Sequence, residues 1–345
     1  MADREQNVVA ALGRLQPCGS GRLAAELEGV ASAATIKRVL GRLVADGVVR
    51  STGQGRATRY SFAPGFEVLR PIDVDAYYQD EIDDRVIHTD FNWDLLGRTL
   101  PGLSLFSPDE EARLAVLDRT FRARVESLDQ VTYRKELERL AIDLSWKSSQ
   151  IEGNTYSLLE TERLLKDRVT ASGKTQEEAI MLLNHKAAID FVIENPDFLL
   201  PLSIARIEDI HSLLIKDLGV ERNIRSVRVG VTGTNYRPLD KDFQLREALG
   251  LACDLVNASQ NAHQKALLAV LLISYIQPFV DGNKRTARIV ANAMLLAASS
   301  CPLSYRTVDT VDYQKAMLVF YEQGNISPFK SIFLEQTEFA TDTYF

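Results

Sequence analysis

The sequence predicts a mostly α-helical protein with two small β-hairpins, on three observations. Apolar residues recur at helical spacing along most of the 345 residues, as helices with one buried face require. Alternation of period two is confined to 48–62 and 225–238, each with glycine near its tip, the pattern of a short hairpin. The run Ala266 to Ile276 (ALLAVLLISYI) is continuous and apolar over about eleven residues. A bilayer takes roughly 18–20, so this run reads as a buried core helix.

A chain of this length holds two or three domains at about 100–200 residues each. The breaks are placed at 1–65, at 66–130 as linker and helical extension, and at 131–345. Residues 1–65 carry nine Lys/Arg (Arg4, Arg14, Arg22, Lys37, Arg38, Arg42, Arg50, Arg56, Arg59) against five acids, net +4, and since the whole chain is −7 the remainder is −11. A basic head on an acidic body points to an anionic partner for the head. Cys18, Cys253 and Cys301, and the four histidines, are scattered; they form neither a disulfide framework nor a ligand spacing, which argues against metal chemistry on His or Cys. Met1 to Asn7 is polar and no apolar segment follows. A signal peptide is not expected, a cytoplasmic placement is, and no membrane partner is implied.

In the head, Asn7 to Leu15 and Arg22 to Leu27 read as helices. Ser32 then caps a third, with Ile36, Val39, Leu40, Leu43 and Val44 on one face and Gly47 at its end. Val48–Arg50 and Thr58–Phe62 alternate as strands around Gly53-Gln54-Gly55. Three helices and a hairpin resemble a winged helix-turn-helix domain. Lys37, Arg38 and Arg42 would then face outward on the recognition helix and Arg56 and Arg59 would lie in the wing, a placement suited to DNA phosphates.

Pro64-Gly65 and Pro71 punctuate the exit from the wing, and Asp73 to Asp84 is an acidic surface crossing. Helices follow at 109–128, from about Tyr133 to Ile151, and at 177–195. The second of these ends in Ser148-Ser149-Gln150-Ile151-Glu152-Gly153, where Ser148 and Glu152 share a face. Ile204 to Leu218 is a further helix, in which His211 reads as structural. Arg225 to Pro238 reads as the second hairpin, turning at Thr232-Gly233-Thr234-Asn235. Core helices are expected at 245–258 and 264–276, and C-terminal ones at 313–321 and 328–336.

The most informative stretch lies between two apolar runs: Gln277-Pro278-Phe279-Val280-Asp281-Gly282-Asn283-Lys284-Arg285-Thr286-Ala287-Arg288. Pro278 cannot continue the helix before it, and Thr286 opens the next. Backbone amides and a positive helix end meet at Gly282–Arg285, an anion site suited to a di- or triphosphate. Arg285 and Arg288, three apart, share a face for clamping it, and Asp281 can hold a divalent cation.

These residues resemble the Fic (Fido) signature, HxFx(D/E)GNGRxxR, at Phe279, Asp281, Gly282, Asn283, Arg285 and Arg288. Ser148, Glu152 and Gly153 are similar to the family's inhibitory motif, (S/T)xxxE(G/N). The resemblance covers about 85–340. It implies an all-α Fic fold with a β-hairpin flap, and transfer of AMP from ATP to a hydroxyl of a target protein. It further implies Mg2+ on Asp281, phosphates on Gly282, Asn283, Lys284, Arg285 and Arg288, and a target segment held beside Thr234, Asn235, Tyr236, Arg237 and Pro238. Glu152 would pair with Arg288 and occupy the space of the terminal phosphate.

Two positions depart from the pattern. Gln277 stands where the family has its general-base histidine, and an amide can orient a hydroxyl without taking its proton. Lys284 replaces a glycine and is similar to the Doc branch, which transfers phosphate. Three readings follow: an autoinhibited adenylyltransferase, a DNA-binding regulator with a degenerate nucleotide-binding Fic body, and a Doc-like phosphotransferase. A homodimer is left open.

Overall fold

A computed structural model describes residues 2–345, with side chains from residue 4 onward; Met1, counted above in the polar N-terminal stretch, lies outside the described residues. The chain divides into a first unit ending at Arg70 and a second, Pro71–Phe345.

The first unit contains α1 (Ala2–Leu15), α2 (Ser20–Glu26), α3 (Ala33–Ala45), β1 (Val49–Thr52), β2 (Arg59–Phe62) and α4 (Pro64–Leu69). The Ser32 hydroxyl accepts from the Thr35 amide at 3.3 Å and so caps α3. Ile36, Val39, Leu40 and Leu43 pack on Val8, Leu12, Leu23 and Phe62, which is the face the spacing predicts. β1 and β2 are antiparallel, with Val49 opposite Phe62 and Thr52 opposite Arg59. The wing needs glycine at its tip: Gly53 has φ 76°, and a Cβ there would meet the Ala57 carbonyl oxygen at 2.6 Å.

The second unit is helical: α5 (Val74–Tyr77), a π-helical turn at Leu95–Thr99, α6 (Pro108–Ser127), α7 (Gln130–Ile151), α8 (Leu158–Asp167), α9 (Gln176–Glu194), α10 (Ile204–Leu214), α11 (Asp242–Ala258), α12 (Ala262–Ile276), α13 (Asn283–Ala297), α14 (Thr310–Gln323) and α15 (Ser327–Tyr344). At its centre is α12, buried at every position from Ala266 to Ile276 and packed between α11 and α13. A fully buried Leu, Ile or Val contributes roughly 1.5–3 kcal/mol, so this helix anchors whatever is attached to its end. Around it, α7, α9, α10 and α14 touch one another or α13. No helix among the described residues is long and apolar enough to cross a membrane.

Two local expectations are corrected. Arg225–Pro238 is extended with a turn at Thr232–Gly233, but it forms no paired hairpin: among the described residues the one two-stranded sheet is β1–β2. Its backbone groups are used elsewhere. The buried Arg225 guanidinium donates to the Val227 and Leu239 carbonyls at 2.7 and 2.6 Å, and the Arg237 amide donates to the Thr89 carbonyl at 2.7 Å. The helix expected from Thr286 starts three residues earlier, at Asn283, because Gly282 turns the chain at φ 80°. α8 carries no functional motif and lies outside the sequence expectations, although a capping box of Ser157 and Glu160 marks its start.

Candidate functional site

The loop between α12 and α13 is rigid because its polar groups bond inward. Gln277 ends α12 in a left-handed conformation (φ 52°, ψ 57°). Its side-chain amide donates to the Ser274 carbonyl at 2.6 Å, and its side-chain oxygen accepts from Asn283 Nδ2 at 3.0 Å. Asn283 also closes the loop on Phe279, accepting from its amide and donating to its carbonyl, both at 2.8 Å. Arg225 donates to the Gln277 and Pro278 carbonyls, from its side chain and its backbone. His211 stacks on Phe279 at 3.6 Å, and its Nε2 lies 2.9 Å from the Asp281 carbonyl. Burial, the largest influence, lowers the His211 pKa, so the ring is a neutral prop under the loop, as the sequence suggested. A Cβ on Gly282 would sit 3.4 Å from that ring.

Downstream, the arginines are engaged. Arg285 is buried and pairs with Asp281 at 2.8 Å, leaving its Nε and Nη1 without hydrogen-bond partners among the described residues. Arg288 is 0% exposed. It donates to the Ser148 hydroxyl and carbonyl at 2.8 and 2.9 Å, to the Tyr313 hydroxyl at 3.2 Å, and to Glu152 Oε1 at 2.8 Å. Glu152 caps α7, and Gly153 at φ 95° lets the chain leave it. The second Glu152 oxygen faces Lys284 Nζ at 3.4 Å. Burial pushes the Glu152 carboxyl upward, but the Arg288 and Lys284 charges outweigh it and hold its pKa below the ordinary value. Glu152 is therefore ionised and neutralised by Arg288 and Lys284.

A cavity of about 320 Å³ opens beside this pair, lined by Gly230–Gly233, Gln277, Lys284, Tyr313 and Tyr321 among others. On one side the wall is Gly230–Gly233, the stretch just ahead of the flap residues Thr234–Pro238. Tyr236 is buried and donates to the Tyr275 carbonyl, and Asn235 bonds Asp83. Arg225 and Tyr313 are parts of the site that sequence reasoning missed; neither lies in a motif, and both act across the fold.

In the first unit, Lys37, Arg38, Arg42, Arg56 and Arg59 are all exposed. Arg4, Thr35, Arg38, Val39 and Arg42 line a recess of about 280 Å³ between α1 and α3, where Arg42 pairs with Glu5.

Residues 201–295 match the model of the Fic/DOC family, and residues 1–65 match that of the penicillinase repressor. Two proteins named protein adenylyltransferase Fic are similar to the chain. That of Drosophila willistoni is 26% identical over 241 residues, 68% of this chain and 48% of that protein. That of Nematostella vectensis is 29% identical over 206 residues, 58% of this chain and 47% of that protein. The chain thus spans about half the length of the curated relatives it matches. Among solved structures, Fic-1 of C. elegans aligns over 99% of this chain and 96% of that one, with TM-score 0.60 and 18% identity. A Fic domain containing signaling protein of Bacteroides thetaiotaomicron aligns over 67% of this chain and 96% of that one, with TM-score 0.55 and 18% identity. At these identities the likeness concerns the fold.

Proposed function

We propose that this chain, which carries a Fic/DOC domain behind a domain of the penicillinase-repressor type, is a protein adenylyltransferase held closed by its own Glu152, with its transfer step slowed by Gln277. The observation that carries the reading is the Glu152–Arg288 pair at 2.8 Å, which joins the end of α7 to α13. A carboxylate there occupies the guanidinium that a terminal phosphate needs.

The residues divide the work. The first amides of α13 lack intrahelical acceptors and offer donors to phosphate oxygens. Arg288, once Glu152 leaves, offers a fork already aimed by Ser148 and Tyr313. Asp281 is 57% exposed and would hold Mg2+; among the described residues no cluster of three His, Cys, Asp or Glu completes a site, so phosphate oxygens and water fit as the other ligands. That ion would supply neutralisation of phosphate charge. Gln277 positions but does not deprotonate a target hydroxyl, since its oxygen is an amide acceptor already bonded to Asn283. Loss of a general base costs about 10²–10⁴ in rate. A target protein hydroxyl would enter through the cavity beside Gly230–Gly233.

Labelled ATP tests this. The variant carrying Gln277→His and Glu152→Gly is expected to transfer α-phosphate label to protein about 10²–10⁴ faster than the unaltered chain. Absence of label from that variant would sink the reading. Label from the γ position only would favour the Doc-like phosphotransferase that Lys284 suggests.

A second reading concerns the first unit. Its exposed basic residues on α3 and on the wing support DNA as a partner and a role in transcriptional regulation for the whole chain.

A further inference from the structure

Each oxygen of Glu152 has its own cation, and the two cations differ. Arg288 is wholly buried and bonded on every side by Ser148, Tyr313 and Glu152, so it stays in place whether or not Glu152 is present. Lys284 is a single long side chain, 26% exposed, on the cavity wall. Among the described residues its ammonium has Glu152 as its one ionic partner, which uses one of three donors. Water reaches this pair, with Lys284 26% and Glu152 20% exposed, which weakens it relative to the pair with the wholly buried Arg288.

We infer that Lys284 is a shared contact: it holds Glu152 in the closed state and passes to the terminal phosphate of a nucleoside triphosphate when Glu152 leaves. This rests on the nucleotide reading above and adds to it a residue that selects the triphosphate. Glu152 presents two carboxylate oxygens to Arg288 and Lys284, and a terminal phosphate presents oxygens of the same charge to the same two cations. A ligand without that phosphate has nothing to replace Glu152 with, and leaves Lys284 where it is. The closed state is then a competition over two cations, of which the lysine is the one able to move.

The test is a pair of substitutions read by calorimetric binding of ATP and ADP to the full chain. In the Glu152→Gly background, Lys284→Ala is expected to weaken ATP about tenfold and ADP less than about twofold. With Glu152 present, the same change removes both a phosphate partner and a hold on the stopper, so ATP affinity moves less than about threefold. Lys284→Arg keeps the charge and is expected to restore most of the ATP affinity; melting curves on each variant separate unfolding from weakened binding. Equal factors in both backgrounds, or equal losses for ATP and ADP, overturn the inference while leaving nucleotide binding intact. Failure of Glu152→Gly to bind either nucleotide sinks the underlying reading, and this inference with it.

Discussion

The arginines of α3 and of α13 are the same residue type put to opposite uses. Arg38 and Arg42 stand on an exposed helix face, with a recess beside them and one surface pairing to Glu5. Arg288 is 0% exposed, with bonds to a hydroxyl, a carbonyl, a phenol and a carboxylate. An exposed arginine gains little from an internal partner, because water and salt screen the pair. A buried one cannot be left alone, because a desolvated charge without a partner costs several kcal/mol. The α3 face thus leaves its guanidinium groups mostly to solvent, whereas α13 carries its counter-ion inside the fold, on Glu152.

The strongest challenge to this contrast is truncation of the buried member. Arg288→Ala leaves Glu152 facing Lys284 alone and is expected to destabilise the fold by about 3 kcal/mol, the low end for breaking a buried pair from one side; urea unfolding reads it. A change below about 0.5 kcal/mol, the size expected of a surface residue, would mean that the two arginines are not different in kind. The converse is Arg38→Ala with Arg42→Ala, expected to alter stability by about 0.5 kcal/mol or less. The same pair should weaken DNA binding at every sequence tested and lower the slope of log affinity against log salt by about one for each phosphate no longer neutralised. A salt slope unchanged by the double substitution would remove DNA as a partner of this face.

A pH dependence of stability is expected beneath α13. His185 of α9 is fully buried, without hydrogen-bond partners for either ring nitrogen among the described residues. Burial first, then the Arg288 and Arg285 charges, lower its pKa well below the ordinary value. The unfolded chain therefore takes up a proton near its ordinary pKa, about 6.5, that the folded chain refuses. Stability falls as pH drops below that value until the buried ring is itself protonated. The slope is at most about 1.4 kcal/mol per pH unit. His185→Phe should flatten the profile between about pH 6.5 and 5, as read by urea midpoints. An unchanged slope would mean that the ring is solvated in the folded state.

Much of this was legible in the sequence where chemistry is local. Ser32 as a cap, Gly53 as a hairpin tip, and the stripe on α3 each depend on neighbours within a few residues, so propensity and spacing suffice. Part of the stretch from Gln277 to Arg288 was also legible, since Asn283 bonds Gln277 and Phe279 and Arg285 bonds Asp281, all within a few residues. Less legible was 225–238, where alternating valines signalled a hairpin. Arg225 took the carbonyls there, and nothing in a local pattern reveals a guanidinium that will fold back on its own segment. Glu178 is similar. It closes a capping box with Thr175, and its carboxylate also accepts from the Thr155 amide at 2.8 Å, pinning the turn that follows Glu152.

The order of residues alone was enough to specify a helical body with an amide-rich loop and a glutamate at the end of a distant helix. It also specified an amide, Gln277, at the start of that loop, and a basic three-helix head with a wing. Packing in three dimensions was needed to bring Glu152 to Arg288 across 136 residues of chain and to give its second oxygen to Lys284. Packing likewise put Gly230–Gly233 on the cavity wall while burying Tyr236 against Tyr275. Helices, caps and turns follow from forces that act between near neighbours. A charge pair brought together by folding depends on which helix faces pack, and that is set by the burial of the whole body around α12.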